Sequence, residues 1–411
     1  MASLTTPSPT TLGGHTRVLA PDLARGLMLL LIVLANTPWY LYGSSTGAST
    51  IHPTGGSTLD RIVQFVIITA VDSRVYPMFA FLFGYGIVQM YQRSLDRGAE
   101  PRSVRRVLRR RHLAMIAIGA LHAALLWLGD IVGAYGLVGL IFTAAFLKRR
   151  NKTLIVWASV FTGLLTLAAV GAVVGSVFAA SAPPPAEAVS FLAGVKDLNA
   201  IESWPASVLP RLSVWAFLIL LQVLVTLVVP IAVLLAFWAA RHRVLEQPDQ
   251  HRRLLVATTV VGLTVGWTGG AVHALQHLGL LGIPEHVSWV FSATQPVTGL
   301  LGGLGYIALF GLVSAALVRR AATNGPITRS ITAVGKRSLS AYLAQSVICA
   351  PLFSAWGLGL GGVLGSASTA ALAVGVWLVT VLGCTVLERQ GRRGPAEWLL
   401  RRLAYGRPRS P

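Results

Sequence analysis

Acidic residues are scarce in this chain: 14 Asp and Glu in 411 residues against 34 Lys and Arg, and charged residues of both signs make only 12% of the whole. A soluble protein carries about 25%. With 54% hydrophobic residues and a mean hydropathy of +0.67, the chain holds more apolar surface than a water-soluble core of this length can cover. Disorder and a soluble nucleotide-binding enzyme are excluded. Cysteine is nearly absent: Cys349 and Cys384 sit inside apolar runs without ligand-type neighbours, so no disulfide framework or zinc site is indicated and both read as small core hydrophobes. Also missing is any polar stretch long enough to fold into a basic soluble surface, so the net charge of +20 does not signal nucleic acid. No internal repeat stands out, which weakens a transporter built from inverted halves.

What is there is a series of apolar runs long enough to cross a bilayer, about 20 residues each. They predict an all-α, polytopic membrane helical bundle of about ten transmembrane helices: 20–42, 75–92, 112–128, 130–147, 153–179, 212–240, 254–278, 288–318, 333–356 and 366–388. Residues 59–71 have a helical pattern, but a crossing there would break the charge alternation. That segment reads as an outer interfacial or half-inserted helix. Arginine-rich loops at 93–111, 148–152, 241–253 and 319–336, and the tail from Arg389, mark the cytoplasmic side. The loop 181–211, with Pro183, Pro184, Pro185, Glu187, Asp197 and Glu202, belongs outside. The chain thus divides into a cytoplasmic tail (1–19), a bundle (20–388) and a basic cytoplasmic tail (389–411) in a bacterial cytoplasmic membrane. The first twenty residues lack a cleavage pattern, so the first span is read as a retained anchor.

Ionisable groups at membrane depth are costly and mark function. Arg25 and Asn36 lie eleven residues apart, which returns to one helix face roughly 16 Å further along; Arg25 also has Asp22 three residues earlier, an ion-pair spacing that suits a snorkelling arginine equally well. His122, about ten residues into its span, precedes Asp130 and Tyr135 within one hairpin. A histidine held by a carboxylate has the parts of a general base, although a structural hydrogen bond between helices uses the same residues. Asp72 and Arg74 read evenly as an outer salt bridge or as a cradle in which Arg74 holds a ligand's anionic group. His273 and His277 have the spacing of a metal pair, but no third ligand is near and interfacial histidines are favoured; no metal is expected. Ser338, Ser340, Tyr342, Gln345 and Ser346 read as contacts between helices.

The runs Asp22 to Asn36, Phe79 to Gly86, Gly119 to Gly139 and Gly335 to Leu358, with the terminal Gly394, Pro395, Ala396, Glu397 and Trp398, resemble the YeiB-like family of bacterial membrane proteins, which is largely of unknown function. The first span is also similar to that of transmembrane acyltransferases, including the lysosomal heparan glucosaminide acetyltransferase and bacterial carbohydrate O-acetyltransferases. That resemblance implies a ten-helix core and acyl-coenzyme A as donor at the cytoplasmic side. The carbohydrate branch has His eleven residues after Arg, where this chain has Asn36. In the lysosomal branch an Asn at this point is followed by a catalytic His, and here the nearest downstream histidine is His52, in a Gly/Ser/Thr-rich outer loop.

The preferred expectation is therefore an acyltransferase moving an acyl group, most simply acetyl, from acyl-coenzyme A to a hydroxyl or amine acceptor such as a small molecule or glycan. His122 would be the base, Asp130 its orienting partner and Asn36 the donor to the oxyanion. Arg25, with Arg105 and Arg106, would meet the coenzyme phosphates, and Arg74, Asp72 and Tyr135 would contact substrate. Membrane lipids are the other partners; nucleic acid is not. The rival is a transporter or flippase in which the same His and Asp relay protons.

Overall fold

The computed structural model describes residues 19–183 and 191–406. The N-terminal tail up to residue 18, the loop residues Pro184, Pro185 and Glu187, and the last five residues lie outside that range. Among the described residues the architecture is all α. The helices are α1 (Leu19–Tyr40), α2 (Thr58–Ala70), α3 (Val75–Asp96), α4 (Pro101–Leu125), α5 (Val132–Phe146), α6 (Asn151–Ala180), α7 (Phe191–Asp197), α8 (Trp204–Leu220), α9 (Val228–Arg241), α10 (Arg252–His277), α11 (Trp289–Arg319), α12 (Pro326–Lys336), α13 (Ser338–Phe353), α14 (Ser366–Arg389) and α15 (Pro395–Tyr405). Seven helical stretches are long and apolar enough to cross a membrane, and α5, α9 and α13 are shorter apolar helices.

Two ends of the bundle differ in chemistry. At one end the arginine-rich segments meet: Arg241 donates to the carbonyls of Leu147 and Arg149 (2.9 and 2.6 Å), Arg319 pairs with Asp249, and Lys336 and Arg337 pair with Glu388. At the other end α4 turns into α5, and the loop 41–57 meets α7, α10 and the turn before α11, through Lys196 to Ser44, His273 to the Ser49 carbonyl and Ala48 N–H to Glu285.

Several crossings are broken, each for a local reason. The stretch 212–240, read from sequence as one span, starts earlier, at Trp204, and breaks after a π-helical turn at Leu221–Val225. Pro230 has no N–H for the Thr226 carbonyl and its ring would clash with it, and Leu227 leaves the helix at φ 57°. The stretch 333–356 breaks at Arg337. There Glu397 of α15 accepts the free N–H groups of Leu339 and Ser340 (2.8 and 3.1 Å), placing an acid at the positive end of α13. The helix expected at 59–71 is present as α2, whose Ser57 and Asp60 form a capping box. It packs on α10 and continues into α3 across the turn 71–74.

Glycines set the closest approaches. Gly262 and Gly266 of α10 face Gly305 and Gly302 of α11, and a β-carbon at either would collide with the opposing backbone. Such surfaces let helix backbones touch where lipid offers no hydrophobic drive.

Candidate active site

Of the two His–carboxylate pairs among the described residues, one was legible in sequence and one was not. His122 Nδ1 lies 2.8 Å from Asp130 Oδ1, and Asp130 Oδ2 also accepts from Gly133 N–H (2.7 Å) and Trp215 Nε1 (3.3 Å). The pair touches but is closed in: the two side chains are 2% and 0% exposed, and His122 Nε2 is buried without a hydrogen-bond partner. His122 is not in the middle of its helix. With Pro101 at its first position α4 begins eleven residues before the expected 112, and it ends at Leu125 rather than at 128, which puts His122 in the last turn. Tyr135, expected beside this pair, donates instead to the Tyr76 carbonyl (2.9 Å) and stacks on Phe79. The ring next to His122 is that of Tyr342, edge-on at 5.3 Å. Its phenol accepts from Ile131 N–H.

The second pair is His52 with Asp72. His52 Nε2 is 2.8 Å from Asp72 Oδ2, and while the imidazole is 1% exposed, the carboxylate keeps 23% of its surface open. The loop 41–57 carries His52 inward, and Ser73 at φ 60° turns the chain so that Asp72 and Arg74 leave in different directions. Of the two readings offered for them, the salt bridge is not formed: the Asp72 carboxylate pairs with His52 instead. Arg74 is fully buried, held by the carbonyls of Ile68 (3.2 Å), Asp72 and Gly266 and by Gln295 Oε1 (2.8 Å). Its guanidinium lies against Gly270 and Gly266 of α10, seven to eleven residues from the end of that helix, about 10 to 16 Å in. Both terminal nitrogens of Arg74 thus donate to protein acceptors while Nε is buried without a partner, and with the residue 0% exposed no open face is left for a ligand.

Around the second pair stand more polar groups than the sequence led one to collect. Gln295 Nε2 donates to His273 Nδ1 (2.8 Å), so one amide joins Arg74 to His273. His277 meets Gln64 Oε1 (3.3 Å) and lies 5.9 Å, ring to ring, from His52. The i, i+4 histidines of α10 thus have separate partners, and among the described residues no group of three or more His, Cys, Asp or Glu gathers for a metal. Arg25 pairs with Asp22 at 3.7 Å and donates to the Leu82 carbonyl (2.9 Å). Asn36 is half-buried on α1 and is not hydrogen-bonded to either histidine pair. Gln64 and Gln295 were missed, and His52 was noted downstream of Asn36 but passed over as the base in favour of His122. A histidine after a Gly/Ser/Thr-rich run was the available signal for His52, while the two glutamines stand among many polar residues at helix ends.

Residues 239–407 match the sequence profile of a family described as "Protein of unknown function (DUF418)". Over 93% of its length the chain is 28% identical to the "Uncharacterized protein YeiB" of Escherichia coli (strain K12), of which 94% is covered. Over 95% of its length it is 26% identical to the "Uncharacterized protein YxaH" of Bacillus subtilis (strain 168), of which 95% is covered. Along nearly its whole length the chain is thus similar to these two proteins. The profile match begins at the end of α9 and includes α10 to α15, so His273 and Gln295 fall inside it. His52, Asp72, His122 and Asp130 fall before it, within the full-length similarity to the two relatives.

Proposed function

We propose that this protein is a membrane-embedded acyltransferase that takes an acyl group, most simply acetyl, from acyl-coenzyme A and passes it to a hydroxyl or amine acceptor at the end of the bundle opposite the arginines. The observation that carries this reading is the His52–Asp72 pair with its partly open carboxylate. With Nε2–H donated to Asp72, His52 Nδ1 carries the lone pair that a general base needs. As the acceptor oxygen or nitrogen forms its bond to the acyl carbon, its proton passes to Nδ1, the carbon–sulfur bond breaks, and the proton leaves with the thiol. The base moves to His52 from His122 because the Asp72 carboxylate beside His52 keeps 23% of its surface open, whereas Asp130 beside His122 is 0% exposed and His122 Nε2 is buried without a partner. His122–Asp130 then serves to hold the α4–α5 bend. The arginine-rich end faces the cytoplasm of a bacterial cytoplasmic membrane in this reading, which puts the donor where acyl-coenzyme A is made.

The test uses vesicles containing the purified protein, labelled acetyl-coenzyme A on the arginine side, and a panel of amino sugars and polyols on the other. Transfer of label to an acceptor, lowered about 100-fold or more in His52→Ala and largely kept in His122→Gln, is the expected result. Transfer undiminished by His52→Ala would reject the assignment, and arrival of an unmodified compound across the membrane would put carriage in its place.

A further inference from the structure

The N-terminal half of α4 is built against ordinary helix electrostatics. Its first turn holds no acid, and Arg102, Arg105, Arg106 and Arg109 stand so that 102/105 and 106/109 are three residues apart and 102/106 and 105/109 four. Like charges at these spacings repel one another, and cations at a helix N-terminus oppose the macrodipole. Among the described residues none of the four is in an ion pair with a protein carboxylate. These arginines line a groove of about 460 Å³ between α4 and α5, with His112, Leu140, Thr143 and Ala144 as the other walls. That volume falls in the range of small-ligand sites, roughly 300–1,000 Å³.

Two polar side chains inside the groove make it more than a charged surface. His112 is fully buried, and neither of its ring nitrogens has a hydrogen-bond partner; Thr143 is 7% exposed, and its hydroxyl has none either. A buried polar group left unpaired costs about 1–3 kcal/mol, and here three such atoms from facing helices gather beneath four guanidinium groups. We propose that this groove binds a phosphate-bearing ligand: guanidinium groups at the rim take the charge, and the His112 N–H and Thr143 hydroxyl donate to phosphate oxygens at the floor. A phosphate brings acceptors for each of these donors, relieves the repulsion along α4, and sits near the positive end of the helix dipole. The shared chemistry fits either the headgroup of an anionic lipid or a soluble phosphate compound such as a coenzyme. It stands whether or not acyl transfer is the reaction, because none of its residues belongs to the His52–Asp72 pair.

The experiment measures binding of labelled coenzyme A and labelled pyrophosphate to the full chain in nanodiscs of pure phosphatidylcholine, then in discs containing phosphatidylglycerol. Saturable binding of either probe should weaken at least tenfold in Arg105→Gln/Arg109→Gln. In Thr143→Val, which changes little but the hydroxyl, it should weaken several-fold, and it should be unaltered in His52→Ala. Probe binding that survives phosphatidylglycerol marks a soluble ligand. Probe binding suppressed by phosphatidylglycerol, with that suppression lost in the double variant, marks a lipid headgroup. No saturable binding in phosphatidylcholine discs, or binding unchanged in both groove variants, would overturn the inference.

Discussion

At the scale of single residues, the largest electrostatic commitment in the bundle is Arg74. A guanidinium at membrane depth is tolerated when every donor is met, and three carbonyls and an amide oxygen meet most of Arg74's. Removing it would leave Gln295 and those carbonyls facing apolar surface, a loss of about 3–5 kcal/mol by analogy with broken buried pairs. Arg74→Met should therefore lower the thermal unfolding midpoint in detergent strongly, whereas Arg25→Met, where the arginine side chain keeps 21% of its surface open, should lower it far less. Equal effects would show that Arg74 is not a structural anchor.

Lys196, in the segment outside the spans, is a second case. It is 1% exposed and donates to the Ser44 hydroxyl and carbonyl (2.8 and 3.0 Å). Burial pushes its ammonium down from 10.5 to about 8, with Asp197 opposing. Between those two values the unfolded chain holds a proton that the folded chain has released, so this lysine makes stability rise with pH over that window. The unfolding midpoint of the wild type, taken relative to Lys196→Met, should increase from pH 8 to pH 10. A flat or falling difference would count against the burial. Neither residue's part could be read from its neighbours in sequence. Arg74 was seen as ionisable and deep, but its partners on α10 and α11 lie about 190 and 220 positions away.

At the scale of elements, α1 and α12 meet more closely than ordinary side chains allow. A β-carbon at Gly335 would fall on the Asp22 carbonyl, and one at Gly26 on the Ile331 carbonyl. Because the contact is with backbone, nothing can swing aside. Gly335→Val and Gly26→Val should each separate the two helices and reduce the yield of folded protein in membranes. Gly163→Val on α6, where a β-carbon meets nothing within 4 Å, should leave it unchanged; a loss of yield in all three alike would remove the packing argument. Hydropathy located nearly all the helices, because an apolar run of bilayer length declares itself. It missed the breaks at Leu227 and Arg337, since a proline's effect on the preceding turn and a cap supplied by Glu397 from α15 do not alter mean hydropathy. It also started α4 too late, because arginine forms helix as readily as leucine does while reading as loop on a hydropathy scale.

At the scale of the whole molecule, charge sorts the two ends. Arginine loops gather at one end and the loop 41–57, α7 and the α10–α11 turn at the other, so orientation in the membrane should follow the positive-inside rule. Cys349 and Cys384 are buried and leave the background clean for labelling. Leu280→Cys, at a position 63% exposed at the arginine-poor end, should react with an impermeant maleimide in intact cells. Arg320→Cys, exposed at the other end, should react only after permeabilisation. The reverse pattern would invert the proposed orientation and, with it, the side from which a donor arrives.

What the chain's order of residues determined by itself was the class of molecule, the placing of most apolar helices, and one His–carboxylate pair eight positions apart. These are local properties: burial in lipid is additive along a run, and two side chains in one short bend must meet. Only the tertiary structure decided that His52 meets Asp72, that Tyr342 stands where Tyr135 was expected, and that His112 and Thr143 face each other's groove unpaired. Those contacts join distant segments, and which polar group a buried donor finds depends on how glycine-lined helices settle against one another rather than on what lies beside it in the chain.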